Sequence, residues 1–419
     1  MRRNITWILV LVFTVTSCNS FPATPDPGST INGKSTATAI PKSIPTPTVE
    51  DSTALQTPVL SNRFEQKCIE YDNQGFKSQG FLLLNMGIPL PVNQEQNILI
   101  VNLNNGTSTS FDGSAFSVPT VYNISPSGKW YFYLRTENTG NQLHINSIDW
   151  QEKLVLYWDK NWGENIKFMS WLDDEHLSIL KFPSEGPRTP FIVILNPFTG
   201  EWRTLEPNFP SGQNNDIPLV YVDPSLSKAI YISGNSYVLW DVETGRDIWR
   251  KRGVNFTMLP RGWSPDGTKF AFVSTNKGTG TLSSEIYSVD RDGQETQLTD
   301  LSGAFPLAKE IYILGMEWSP NSKYIAFSFL VKDDKESNFL NSPSLALVDI
   351  ENKKTINLCI PVSQYAGEIV WSPFSDQVAV TSTTSFDTTE MNVVIVDIKH
   401  SVAYNLYNNA TTLGWMIVP

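Results

Sequence analysis

Trp263-Ser264-Pro265-Asp266-Gly267 runs into Lys269-Phe270-Ala271-Phe272-Val273-Ser274, and this stretch decides the fold. Pro presets φ for the second position of a tight turn, and Asp and Gly suit the positions after it. The run that follows alternates apolar residues as a sheet strand does. The reading is therefore strand, turn, strand. The same phrase recurs as Trp318-Ser319-Pro320-Asn321-Ser322 before Tyr324-Ile325-Ala326-Phe327-Ser328, and as Trp371-Ser372-Pro373-Phe374-Ser375 before Gln377-Val378-Ala379-Val380. Weaker copies begin at Ile124-Ser125-Pro126, Trp171-Leu172-Asp173 and Val222-Asp223-Pro224. Ala229, Ala271, Ala326 and Ala379 recur in the second strand, where a small side chain lets neighbouring sheets approach.

A second hairpin follows each copy. Its first strand ends in Asp or Asn, as in Val238-Leu239-Trp240-Asp241 before Glu243-Thr244-Gly245. The markers are Asn102, Asp149, Asn196, Asp241, Asp290, Asp349 and Asp397, spaced by 47, 47, 45, 49, 59 and 48 residues. Four strands in roughly 40–50 residues is the period of a β-propeller blade. The expectation is an all-β, seven-bladed β-propeller over residues 62–419. Leu413-Gly414-Trp415-Met416-Ile417 follows the last blade and reads as one more inner strand. It is expected to join strands near Gly80–Leu84, Asn97–Leu103 and Thr107–Phe111, closing the ring and removing its open edge. The Trp-Ser-Pro-Asp-Gly phrase with its Ala-Phe strand resembles the WD40-like repeats of the TolB-type propeller family over about residues 80–419. That resemblance implies a fold and leaves function open.

The N-terminus reads as an address. Arg2 and Arg3 precede an apolar run from Ile5 to Val15, 11 residues long, which is too short to span a bilayer. Val15-Thr16-Ser17-Cys18 resembles a bacterial lipobox. The resemblance implies a signal peptide over residues 1–17, cleavage before Cys18, and lipidation of the Cys18 thiol. The protein would then sit outside the cytoplasm, held to the membrane by its N-terminal lipid. Residues 18–61 are rich in Ser, Thr and Pro, with no aromatic residue between Phe21 and Phe64. They read as a disordered tether reaching about 35–40 Å.

The net charge of -11 argues against nucleic acid as a partner. Chemistry-bearing motifs are sparse. His144, His176 and His400 fall in different repeats, so a three-His metal site is not expected, and no cofactor is called for. The sequence holds no Gly-x-Ser-x-Gly elbow, and no Gly-rich phosphate loop follows a strand and opens a helix. Cys68 and Cys359 are the cysteines left after Cys18. In an exported chain they either pair as a disulfide or remain two buried thiols.

The loops between hairpins and between blades, such as 181–190, 274–284 and 329–342, are longer and more varied than the Ser-Pro turns. The long-loop face is therefore expected to carry function. Each inter-blade connection there holds an aromatic: Phe116, Trp162, Phe209, Phe256, Phe305, Tyr365 and Tyr407. Trp162, Phe209, Phe305 and Tyr365 are candidates for stacking on a ligand, with packing beneath their loops as the other reading. The functional expectation is a non-enzymatic scaffold that binds a protein, peptide or envelope polymer. The alternative is a glycan-binding or glycan-hydrolysing propeller, for which Glu164, Glu310, Asp333 and Asp334 are the carboxylates to watch.

Overall fold

Each repeat turn is closed by its own side chains, and the strands follow from that closure. In a computed structural model, Ser264 Oγ accepts from Lys269 N at 3.0 Å and donates to Asp266 Oδ1 at 2.6 Å, while Asp266 Oδ1 also accepts from Thr268 N at 3.0 Å. Ser319 and Asn321 repeat the pattern. The marker residues close the second hairpin in the same local way: their side-chain oxygens accept backbone N–H groups two to four residues on. The bonds are Asn102 to Asn104, Asn196 to Phe198, Asp241 to Thr244, Asp290 to Asp292, Asp349 to Asn352 and Asp397 to His400. These are Asx turns, which explains why Asp and Asn mark the period.

The structure describes residues 63–72, 78–86, 97–112, 124–137, 140–148, 152–158, 166–181, 191–205, 220–233, 235–252, 262–277, 282–332, 342–363, 369–383 and 391–418. Cys18 with the leader and tether, marker Asp149, Trp162, Phe209, Tyr365, Phe116, Phe256, Glu164, Asp333 and Asp334 lie outside them. Among the described residues the strands gather into six sheets, one of which joins two repeat units through a parallel pairing of Leu282-Ser283 with Glu310-Ile311. The architecture is all-β and of the propeller type.

We number the repeat units in chain order. In unit 1 the C-terminal strand Ala410–Met416 pairs antiparallel with Phe81–Met86, followed by Asn97–Asn102 and Ser108–Asp112. Unit 2 has the Ile124 bridge and then Trp130–Glu137, Gly140–Ser147 and Glu152–Trp158. Unit 3 runs from Ile166–Trp171 to Trp202–Leu205, and unit 4 from Val220–Val222 to Arg246–Arg252. Unit 5 has the Trp263 bridge, Lys269–Lys277, Leu282–Asp290 and Glu295–Gln297. Unit 6 runs from Glu310–Trp318 to Lys354–Pro361, and unit 7 from Val370–Trp371 to Val402–Asn408.

The core lies between the units. Ala229, Ala271, Ala326 and Ala379 are fully buried, as close sheet approach requires. The repeat tryptophans reach back one unit: Trp263 Nε1 donates to Tyr221 O (2.8 Å), Trp318 to Gly262 O (3.1 Å) and Trp371 to Glu317 O (3.1 Å). The turns reach forward. Asp266 N donates to Ser322 Oγ and Asn321 N to Ser375 Oγ, both at 3.0 Å, and Ser127 N makes the equivalent bond to Asp174 Oδ1. Ser322 and Ser375 take the left-handed backbone that Gly267 takes in unit 5. Between units 1 and 2, Gly414 lies beneath Ile124, and a Cβ there would clash with Ile124 Cδ1.

A feature absent from the repeat pattern is a strap. Arg63–Gln66 pairs parallel with Lys354–Asn357 at the outer edge of unit 6, and Glu70–Tyr71 pairs parallel with Val402–Ala403 at the outer edge of unit 7. Between them Cys68 is joined to Cys359 by a disulfide. Cys359 sits at a register shift of its strand with a left-handed backbone (φ 59°), which turns its side chain towards the strap. His144 lies in mid-strand, within Gly140–Ser147.

Candidate functional site

Two concave regions form where the repeat turns gather. The first surrounds the inner strands. A cavity of about 250 Å³ is lined by Pro126, Trp171, Tyr221, Pro224, Trp263 and Pro265, and a smaller one of about 60 Å³ by Pro320, Trp371, Pro373 and Trp415 among others. Their walls come from turns and inner strands of most units. Turn prolines and buried tryptophans make them largely apolar.

The second is a groove of about 830 Å³ at the seam between units 7 and 1. Its walls include Ser78, Gln79 and Asn104 on one side and Phe374, Asp376, Asp397, His400 and Tyr404 on the other. Asp397 is its most ordered element: its carboxylate accepts from His400 N (2.8 Å), His400 Nδ1 (3.0 Å) and Gln377 Nε2 (3.1 Å). Burial pushes its carboxyl up, but the His400 and Gln377 hydrogen bonds outweigh burial and hold it below the ordinary value. Ser78 Oγ donates to Gln377 Oε1 at 2.5 Å, and Thr412 N donates to Thr381 Oγ1 at 2.9 Å, tying the two units beside the groove.

His176 resembles His400. It lies in a turn, with Nδ1 3.0 Å from the carboxylate of Asp173, three residues before it. His144 is buried in unit 2, bonded to Gln142 Oε1 at 3.0 Å and stacked on Tyr133 at 4.5 Å. Among the described residues no group of three His, Cys, Asp or Glu side chains is placed to hold a metal.

Phe305, one of the stacking candidates, follows the helical turn Leu301–Ala304, packs edge-on against Phe64 of the strap (5.1 Å) and lies tilted against Phe329 (5.7 Å). Tyr407 is half-buried against the core shared by units 7 and 1. Glu310, among the carboxylates to watch, bonds Lys332 Nζ at 3.0 Å and Tyr312 OH at 2.9 Å. The Lys332 hydrogen bond is the larger reason its carboxyl lies below the ordinary range.

Among the described residues, two fully buried carboxylates escaped the sequence reading. Asp223 is fully buried and meets Arg291 Nη1, from unit 5, at 2.6 Å. Glu285 is fully buried and accepts from Ser283 Oγ, Thr299 Oγ1, Leu301 N and Ser302 N, all within 2.6–2.9 Å. It thereby anchors the connection between units 5 and 6. Burial outweighs those four donors and pushes its carboxyl above the ordinary value. The convergence of Phe374, Asp397 and His400 on one groove also escaped, although each was read in its own repeat and Phe374 stands where Asp or Asn stands in the other two strong copies. That departure was visible in the sequence.

No family model matches the chain, and no curated protein matches it. Solved structures do. The tricorn protease is similar at 14% identity and TM-score 0.45, covering 75% of this chain, which spans only 34% of that one. An oligogalacturonate lyase from Vibrio parahaemolyticus is similar at 16% identity and TM-score 0.47, with 81% of this chain and 90% of that one covered. A TolB-type structure from Agrobacterium tumefaciens gives 16% identity and TM-score 0.35, with 79% and 90% covered. The neighbours are propeller-fold proteins of unlike activity, and none of these likenesses speaks to function.

Proposed function

We propose that the chain is a seven-bladed propeller of the TolB-type repeat family, closed by its C-terminal strand and held outside the cytoplasm by a lipid on Cys18. It acts as a binding module for a protein, peptide or envelope polymer. Closure is supported by contacts at the seam: Ala410–Met416 against Phe81–Met86 within unit 1, Thr412 to Thr381 of unit 7, and Ile417 N to Gly128 O of unit 2 at 2.9 Å.

The observation that carries the anchored reading is the strap. Disulfides persist in oxidising compartments and are rare in reducing ones. Here the disulfide fixes the segment that leads from the anchor to the outer edge of the ring. Load between membrane and propeller then passes through a covalent bond rather than through two short, exposed strand pairings. The grooves lie at the turn face rather than at the long-loop face expected from sequence, and they give a ligand a preformed surface.

The test is expression in a bacterial host with a labelled fatty acid, followed by capture from native envelope and mass spectrometry of protein and glycan fractions. The reading expects label in the wild type, none in Cys18→Ser, and a partner or polymer retained with the captured protein. Unlabelled protein in the cytosolic fraction, with nothing retained, contradicts it.

A further inference from the structure

The turn of unit 7 breaks the repeat in one place. Ser127, Ser225, Asp266 and Asn321 put a short polar residue at the position after the turn proline, and Asp266 and Asn321 use it to close the turn. Unit 7 has Phe374 there. Turn closure is transferred to Asp376, whose Oδ1 takes Ser372 Oγ at 2.7 Å. The replaced position is thus relieved of its structural task, and its ring stands 53% exposed at the wall of the seam groove.

We propose that this groove binds a neutral oligosaccharide, with Phe374 as the platform for a sugar ring. The proposal rests on the binding-module reading and supplies its ligand class. A pyranose presents an apolar C–H face and a rim of hydroxyls that both donate and accept. The groove offers the matching set. Phe374 gives an apolar face beside polar groups. Asp376 accepts. The amides of Asn104 and Gln79, both exposed, each donate and accept. His400, held through Nδ1 by Asp397, turns Nε2 to the groove as a further polar contact, and its side chain is 65% exposed. The volume falls within the range of about 300–1,000 Å³ common for ligand sites.

Charge selects among ligands. The described lining holds no Lys or Arg, and the chain carries a net charge of -11, so an anionic polymer is disfavoured. A basic peptide is disfavoured for another reason. Asp397 is already engaged by His400 and Gln377, which leaves Asp376 as the main anionic contact for several cationic side chains.

The test uses the folded propeller and isothermal titration with neutral tetrasaccharides of glucose, mannose, galactose and N-acetylglucosamine, with tetragalacturonate and hexalysine as comparators. At least one neutral tetrasaccharide is expected to bind. Phe374→Ala is expected to weaken it about tenfold with an unchanged melting temperature, and Phe374→Trp to retain it. Binding that Phe374→Ala leaves intact, or binding of hexalysine or tetragalacturonate alone, overturns the proposal. So does a titration in which no neutral tetrasaccharide binds. A protein partner captured equally by wild type and Phe374→Ala would keep the binding-module reading while overturning this one.

Discussion

Units 4 and 5 build the same turn with two residues exchanged. Unit 5 places Ser264 before the proline and Asp266 after it, and unit 4 places Asp223 before and Ser225 after. In both, the hydroxyl donates to the carboxylate, at 2.6 Å and 2.5 Å. In both, a left-handed residue follows, Gly267 or Leu226. The exchange decides where the charge lies. Asp266 is exposed, whereas Asp223 is buried beneath the turn and requires a countercharge. Arg291 of unit 5 supplies it and also donates to Gly267 O at 2.9 Å. A local swap thereby becomes a bond between neighbouring units. The turns of units 5 to 7 link through neutral hydroxyls instead, and units 6 and 7 have the strap in addition.

Cutting the strap has the largest expected effect. The disulfide closes a loop of 291 residues, so Cys68→Ser is expected to lower stability by about 4 kcal/mol, read from the urea midpoint. Reductant should then cause no further loss. An unchanged midpoint would mean that units 6 and 7 hold by their neutral turns alone.

Next comes Arg291→Leu. It leaves Asp223 buried without its countercharge and is expected to cost about 2 kcal/mol, below the usual figure for a buried pair because Arg291 keeps contact with water. Asp266→Ala is expected to cost about 1 kcal/mol. The double exchange Asp223→Ser with Ser225→Asp converts unit 4 to the unit 5 arrangement. In that background Arg291→Leu should lose most of its effect, and an undiminished effect breaks the comparison.

Glu285 sharpens the point about buried charge, because its four donors are all neutral, whereas Asp223 has Arg291 in addition to its neutral donors. Its carboxyl is raised, so the folded state binds more protons than the unfolded state above the ordinary value of 4.5. Its contribution is fully present below that value and declines as pH rises through the folded value. Glu285→Gln is expected to remove that slope from a plot of urea midpoint against pH between 4 and 7. Asp241 titrates in the opposite sense. The hydrogen bond from Lys228 holds its carboxyl at about 2, so its contribution is full above 3.8 and is lost as pH falls through about 2.

An effect as small as that of Asp266→Ala is expected for Trp318→Phe. It deletes the bond to Gly262 O, which still accepts from Ala271 N at 2.8 Å, so the loss should be about 1 kcal/mol.

The fold was legible because its signals are local. Ser264, Asp266 and the Asx markers close their turns within a few residues, so their chemistry shows in the sequence at a fixed period. Strand placement followed: the first unit was expected near Gly80–Leu84, Asn97–Leu103 and Thr107–Phe111, and its strands are Phe81–Met86, Asn97–Asn102 and Ser108–Asp112. The strap was not legible. Arg63–Gln66 is short, polar and largely exposed, and its partner strand lies nearly 300 residues away. Asp223 with Arg291 was hidden for the same reason, since its burial depends on what another unit brings to it, and Glu285 with Leu301 was hidden because the path of the connection 14 to 17 residues on decides which donors reach it. Phe305 shows the limit for aromatics. Its recurrence at the unit connections was readable, but its packing against Phe64 depends on the strap.

The most direct test of an exported, strapped propeller is intact-mass analysis of the protein alkylated in unreduced native envelope. The account predicts that Cys68 and Cys359 gain no adduct until reductant is added, and that both then gain one. Alkylation of both cysteines without reductant would contradict the strap and remove the main support for placing the propeller outside the cytoplasm.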